Sequence, residues 1–202
     1  MKILRSLEKE TGEQWTGVLF LYKSRPAGKT VSRPMRICEA IAESCNQPLV
    51  ILPELIECPG ARRSLALGWF KSAELALEIS KKTGISKILL NQLIENTPRL
   101  DSPVSALALG KLETPDVVVS YLHPDAAMKI IRRWQEVNGR DIATTLSSFM
   151  AVCGSGIVKA QQSGEICFSF GCPDSRKYGK IRDDQLVVSM PYQSAKRLIE
   201  EG

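Results

Sequence analysis

Short apolar runs alternate along this chain with stretches of helical period, and that alternation limits it to an α/β architecture. Val18-Leu19-Phe20-Leu21-Tyr22, bounded by Gly17 and Lys23, reads as a buried strand. After Pro34, Cys38, Ile41, Ala42 and Cys45 fall on one face of a helix that the proline can begin. Leu49-Val50-Ile51-Leu52 is the next strand, and a helix is expected from Cys58-Pro59-Gly60 through Arg62, Leu65 and Leu67. Further helices are expected over 72–82 and 86–96, separated by Gly84.

The second half repeats this order. Val117-Val118-Val119-Ser120-Tyr121 is a strand, and Pro124 opens an amphipathic helix through Ile130, Ile131 and Trp134 that Asn138-Gly139 ends. A Thr- and Ser-rich extended run over 142–149 leads to Cys153-Gly154-Ser155-Gly156. Strands over 166–170 and 186–190, a turn at Cys172-Pro173-Asp174-Ser175 and a short C-terminal helix follow. The fold class is therefore α/β, a mixed sheet with flanking helices. A length of 202 residues suits a single domain over 1–202, with roughly 70% of the unfolded surface hidden. Ile37 to Cys58 is 21 positions and Ile131 to Cys153 is 22, which suggests pseudo-repeated strand–helix–strand halves over 17–97 and 115–202. Chance alternation, common to α/β chains, is the other explanation. Pro98, Pro103 and Pro115 mark the expected join.

Charge and hydropathy narrow the partners. The 27 Lys and Arg against 22 Asp and Glu leave a net +5, a scattered excess that favours small anions slightly and does not point to nucleic acid. The opening MKILRSLEKETGEQW mixes charges among apolar positions, so it holds no secretory apolar core. The longest uncharged run, between Asp141 and Lys159, is diluted by Ser, Thr and Gly and falls short of the about 20 apolar residues a spanning helix needs. A cytoplasmic, non-membrane protein is expected, with its six cysteines as reduced thiols rather than disulfides.

Three of those cysteines share one context. Cys58, Cys153 and Cys172 each stand where an extended segment ends and Pro or Gly begins a turn or helix. That end of the strands is where open α/β sheets bind ligands, and a helix start lowers a thiol's pKa. No C-x-x-C occurs, and His123 is the single histidine, so zinc would need nearly all its ligands from cysteine. Thiolates gathered from distant segments suit an iron–sulfur cluster at least as well, a 4Fe–4S cluster being the expected cofactor and zinc the alternative. From the residues alone the fourth ligand is open between Cys38, Cys167 and Cys45. Each of those three is also a natural core residue, since Cys38 and Cys45 lie on an apolar helix face and Cys167 alternates with Ile166 and Phe168.

The segment MRICEAIAESCNQPLVILPELIECPGARRSLALGW resembles the uncharacterised archaeal and bacterial ArCR family, domain of unknown function 169. The carrying residues are Arg36-Ile37-Cys38-Glu39-Ala40, then Cys58-Pro59-Gly60-Ala61 with Leu67-Gly68 after. A later block matches at Cys172-Pro173-Asp174-Ser175-Arg176 and from Asp183-Asp184 through Val187 and Val188 to Pro191, with Gln185 where the family usually has an acidic residue. The resemblance runs from about Val18 to Pro191. It implies a cytosolic protein without an established role, and it favours Cys38, Cys58 and Cys172 as a set, to which the repeat adds Cys153.

Three functions follow from different classes. The leading expectation is an iron–sulfur protein with Cys38, Cys58, Cys153 and Cys172 as ligands, transferring electrons or processing a small anionic substrate. Arg62 and Arg176, each close after a candidate cysteine, would hold that anion or offset the cluster's charge, and Ser155 between two glycines would line an anion nest. The alternative is a metal-free small-ligand binding or sensing module with packed cysteines. The third is a thiol enzyme with Cys58 or Cys153 as nucleophile and His123 as base. A redox partner suits the first, and a two-fold homodimer is the default association. Gly28-Lys29-Thr30 only superficially looks like a phosphate loop, because Lys23 stands at the first glycine position and Pro26 removes an amide donor.

Overall fold

The computed structural model describes residues 1–23, 29–68, 72–144 and 146–202. Pro26 and Gly28 of the loop just discussed, and Thr145 of the expected extended run, lie outside the described residues. Strands β1 (Trp15–Leu21), β2 (Lys29–Thr30), β3 (Leu49–Ile51), β4 (Ala106–Gly110), β5 (Val117–Leu122), β6 (Cys167–Ser169) and β7 (Leu186–Pro191) form one sheet in the order β2-β3-β4-β1-β5-β7-β6. The β2–β3 pair is parallel and the other pairs are antiparallel, so the sheet is mixed.

Period-two alternation sends successive side chains to two separate cores. On one face, Trp15, Val118, Val188 and Met190 meet apolar stripes of α1 (Lys2–Thr11), α6 (Pro124–Asn138) and α9 (Tyr192–Glu201). On the other, Val18, Phe20, Leu107, Leu109, Val117, Val119 and Val187 are covered by α2 (Ile37–Ser44), α3 (Pro59–Ser64) and α5 (Lys87–Glu95), with Ala76 of α4 (Ser72–Thr83) joining them. That second layer also holds a π-helix at Cys153–Val158, continued by α7 (Lys159–Ser163), and is followed later in the chain by α8 (Pro173–Tyr178). No helix among the described residues is long and apolar enough to cross a membrane.

Several elements depart from the sequence expectations. The described part of 142–149 contains no strand, and the Gly-Ser-Gly segment is a π-helix rather than a turn. Residues 151–158 are all buried, and a short run buried on every side has no periodicity to separate helix from strand. The nearly equal spacing before Cys58 and Cys153 is therefore not matched by equal elements: β3 precedes Cys58, and irregular chain precedes Cys153. The expected join contains β4, whose Ala-Leu-Ala-Leu-Gly sequence is poor in β-branched residues. At the N-terminus, the mixed charged and apolar positions form α1, with Ile3, Leu4 and Leu7 buried.

The π-helix lies close against its neighbours because it carries glycine. A Cβ on Gly154 would stand 2.5 Å from Thr97 Cγ2 and 2.7 Å from Ser64 Oγ. Gly154→Ala should therefore destabilise the fold by about 1–3 kcal/mol through overpacking. Chemical denaturation of the variant checks this, and an unchanged midpoint contradicts the close approach.

Candidate functional site

Two of the candidate cysteines are set by proline. Cys58 is the extended residue before Pro59, whose missing N–H and fixed φ begin α3. Cys172 stands in the same way before Pro173 and α8. There the Ser175 hydroxyl accepts from the Cys172 N–H and donates to the Cys172 carbonyl, both at 2.8 Å. Cys153 opens the π-helix, where the N–H groups of Gly154 and Ser155 both donate to the Met150 carbonyl, at 2.9 and 3.0 Å. Cys38 sits in the first turn of α2, which the Tyr121 hydroxyl ties to β5 by donating to the Cys38 carbonyl at 3.1 Å.

Backbone contacts bring these segments together. Met35 N–H donates to Leu55 O at 2.9 Å and Glu57 N–H to Met35 O at 3.0 Å, which clamps the entry to α2 beside the entry to α3. A Cβ on Gly60 would meet Met150 Cγ at 2.5 Å, and one on Gly179 would meet Cys38 Cβ at 2.9 Å. Close approaches of this kind seat α3 on the π-helix segment and the end of α8 on α2. The result is a cavity of about 300 Å³ lined by Cys38, Cys58, Cys153 and Cys172 together. Ile37, Ala61, Ile79, Phe149, Met150 and Val152 supply apolar wall, and Arg36, Asp174, Glu78 and Lys82 add charge. Cys45 and Cys167 are not among the lining residues: Cys45 lies 3.4 Å from Thr16 Oγ1, and Cys167 donates to Glu165 O at 3.7 Å.

With this geometry in hand, sequence comparison places the chain. The model of the uncharacterised ArCR family, domain of unknown function 169, matches residues 14–201. The chain belongs to that family. An uncharacterised protein of Methanocaldococcus jannaschii is 23% identical over 138 residues, which cover 66% of this chain and 53% of that protein. The chain thus spans about half the length of the curated relative it matches. No solved structure shows a significant match.

The charges at the site of this ArCR-family chain are unevenly shared. The Cys58 and Cys153 thiols are hydrogen-bonded to each other, and this bond holds Cys58 at about 6 against the opposing effect of burial. The Ala61 N–H and the Arg36 charge act in the same direction as the bond. The same contact, helped by burial, pushes Cys153 well above the ordinary thiol range. Burial also pushes Cys38 up to about 12, aided by Cys172 and Cys58, and its thiol points to the Asp174 carbonyl at 3.9 Å.

Arg36 is the arginine of the cavity. Its Nη1 lies 2.5 Å from Asp174 Oδ2, and its guanidinium stacks 4.4 Å from the Tyr178 ring centroid. Burial opposes its charge, and Asp174, Cys58, Tyr178 and Glu57 outweigh that effect. Sequence reasoning did not single out Arg36 as a site residue, although it stands two positions before Cys38 in the matching block. Arg62, Arg176 and Ser155 do not line the cavity. Arg62 donates to the carbonyls of Pro53 at 2.5 Å and Ile56 at 3.3 Å, and so braces the turn before Cys58. Arg176 donates to the carbonyls of Arg182 and Phe170, both at 2.7 Å, and pairs with Asp183. Ser155 is buried within the π-helix.

His123 is not beside either thiol. It caps α6, with its ring against Arg182, Glu13 and Asp184, so the structure offers the thiols no histidine base among the described residues. Among the described residues no group of three or more His, Cys, Asp or Glu side chains is arranged to hold a metal ion.

Because Cys58 is held low, it stays a thiolate above about 6 and loses that form as pH falls through this value. Its alkylation by iodoacetamide should follow a midpoint near 6. Cys153→Ala removes the donor and should move the midpoint up toward the ordinary thiol value of about 8.5. Peptide-resolved labelling rates across pH check both. An ordinary midpoint in the unsubstituted chain contradicts the pairing.

Proposed function

We propose that the chain binds a small organic ligand in the thiol-lined cavity and works as a metal-free binding or sensing module. The cavity itself carries the reading. Its volume of about 300 Å³ reaches the range of small-molecule pockets, and its largely apolar wall holds a few convergent polar groups. Arg36 Nε is buried without a hydrogen-bond partner, a donor that a ligand's oxygen would satisfy. Arg36 is already paired with Asp174, so a polar or zwitterionic end suits the site better than the small anion that the net charge slightly favours. Six free thiols fit a reducing, cytoplasmic compartment.

A second reading is supported by one observation: cysteines from four distant segments face one cavity. That convergence favours a 4Fe–4S cluster on Cys38, Cys58, Cys153 and Cys172, with zinc next. Such a cluster would need Cys58 and Cys153 to turn from each other toward the metal, and it would supply electron transfer or Lewis-acid chemistry.

One preparation separates the two readings. The chain is isolated without oxygen, and iron, sulfide and zinc are quantified beside mass spectrometry of small molecules released on unfolding. The binding module predicts a folded, metal-free chain that releases an organic compound. The compound should be lost from Arg36→Met, with the fold retained by circular dichroism. Stoichiometric iron and sulfide, or zinc, would overturn this reading in favour of the second.

A further inference from the structure

Cys58 and Cys153 are more than neighbours in a core. Both are free, both face the same cavity, and each shifts the other's protonation in opposite directions. Cys58 is half-buried while Cys153 is nearly enclosed, so a molecule entering the cavity meets Cys58 first. The segments that carry them are already packed together, through Gly60 against Met150 and Gly154 against Ser64.

We propose that the cavity takes a small disulfide and exchanges with it, Cys58 as the attacking thiolate and Cys153 as the resolving thiol. This rests on the small-ligand reading of the cavity. A low-molecular-weight disulfide has an apolar, polarisable centre that suits a wall containing Met150, Phe149 and the cysteines, and polar ends that can reach Arg36 or Asp174. In the first step the Cys58 sulfur attacks one sulfur of the disulfide. A bond from Cys58 to that sulfur forms, the ligand's own S–S bond breaks, and one ligand thiolate leaves with the electron pair. Arg36, held beside the site by Asp174 and Tyr178, is placed to offset the departing negative charge. Cys153 then gives its proton to a leaving thiolate and attacks Cys58. The Cys58–Cys153 bond forms and the second ligand thiolate departs, taking a proton from water. Two electrons pass from the protein sulfurs to the ligand, which leaves as two thiols. Run in reverse, a small thiol reduces the protein disulfide.

The test uses the reduced chain and bis(2-hydroxyethyl) disulfide, with acid quenching, intact mass and peptide mapping. The expected product has lost two hydrogens, joins Cys58 to Cys153, and is accompanied by two equivalents of 2-mercaptoethanol. Cys153→Ala should stop at a mixed disulfide on Cys58 with one equivalent released. Cys153→Ser, close in size, should stop there too if the alanine variant fails to fold. Cys58→Ala should react more than about tenfold slower. A linkage between other cysteines, a lasting mixed disulfide in the unsubstituted chain, or no reaction overturns the proposal. The carbon isostere 1,6-hexanediol separates this from the underlying reading. Protection of Cys58 from iodoacetamide by the diol, without exchange by the disulfide, overturns the exchange alone. Absence of both protection and exchange overturns the cavity reading with it.

Discussion

The site depends on how closely three short helical segments approach one another. Gly60 lets α3 settle against Met150, Gly154 lets the π-helix settle against Ser64 and Thr97, and Gly179 lets the end of α8 reach Cys38. At each of these positions an added methyl would stand 2.5–2.9 Å from another atom. Well-packed interiors do not absorb such overlaps without shifting.

The sheet supplies the rigid floor under this arrangement. Its alternating side chains divide the protein into two cores, and the face covered by α1, α6 and α9 is closed by large apolar residues such as Trp15 and Trp134. The opposite face is covered by α4 and α5 together with three shorter pieces, α2, α3 and the π-helix. Short elements leave more unpaired backbone and more irregular surface than long ones, and a cavity forms among them. Arg36 then links two of the pieces electrically. It stands at the entry to α2, binds Asp174 in the first turn of α8, and lowers the cost of a thiolate at Cys58.

The α/β class and most of the strands were legible because alternation and apolar runs report burial directly. Strands β3, β5 and β7 follow runs rich in β-branched and aliphatic residues, and α6 is bracketed by Pro124 and by Gly139, which takes a left-handed conformation at φ 62°. What pattern reading missed has physical causes. Strand β4 is built from Ala and Leu, which favour helix as readily as strand. The π-helix is buried all round and rich in small residues, so it showed no face. At the site, Cys58 and Cys172 were readable from the prolines that follow them. Cys153 reached the cavity by a different local structure from the one expected. The roles suggested for Arg62 and Arg176 drew on closeness in sequence, whereas both arginines spend donors on nearby carbonyls. Arg36 and Asp174 are 138 positions apart, and nothing local in either stretch announces that they meet.

Contact between Cys58 and Cys153 at the cavity wall is the claim on which the functional reading turns. The most direct measurement is bridging of the native, reduced chain by dibromobimane, which fluoresces strongly once both of its arms have alkylated thiols. Peptide mapping then identifies the joined residues. The structure predicts one dominant bridged product, linking Cys58 to Cys153. Bridging through Cys45 or Cys167, or attachment to Cys58 by one arm only, would contradict it.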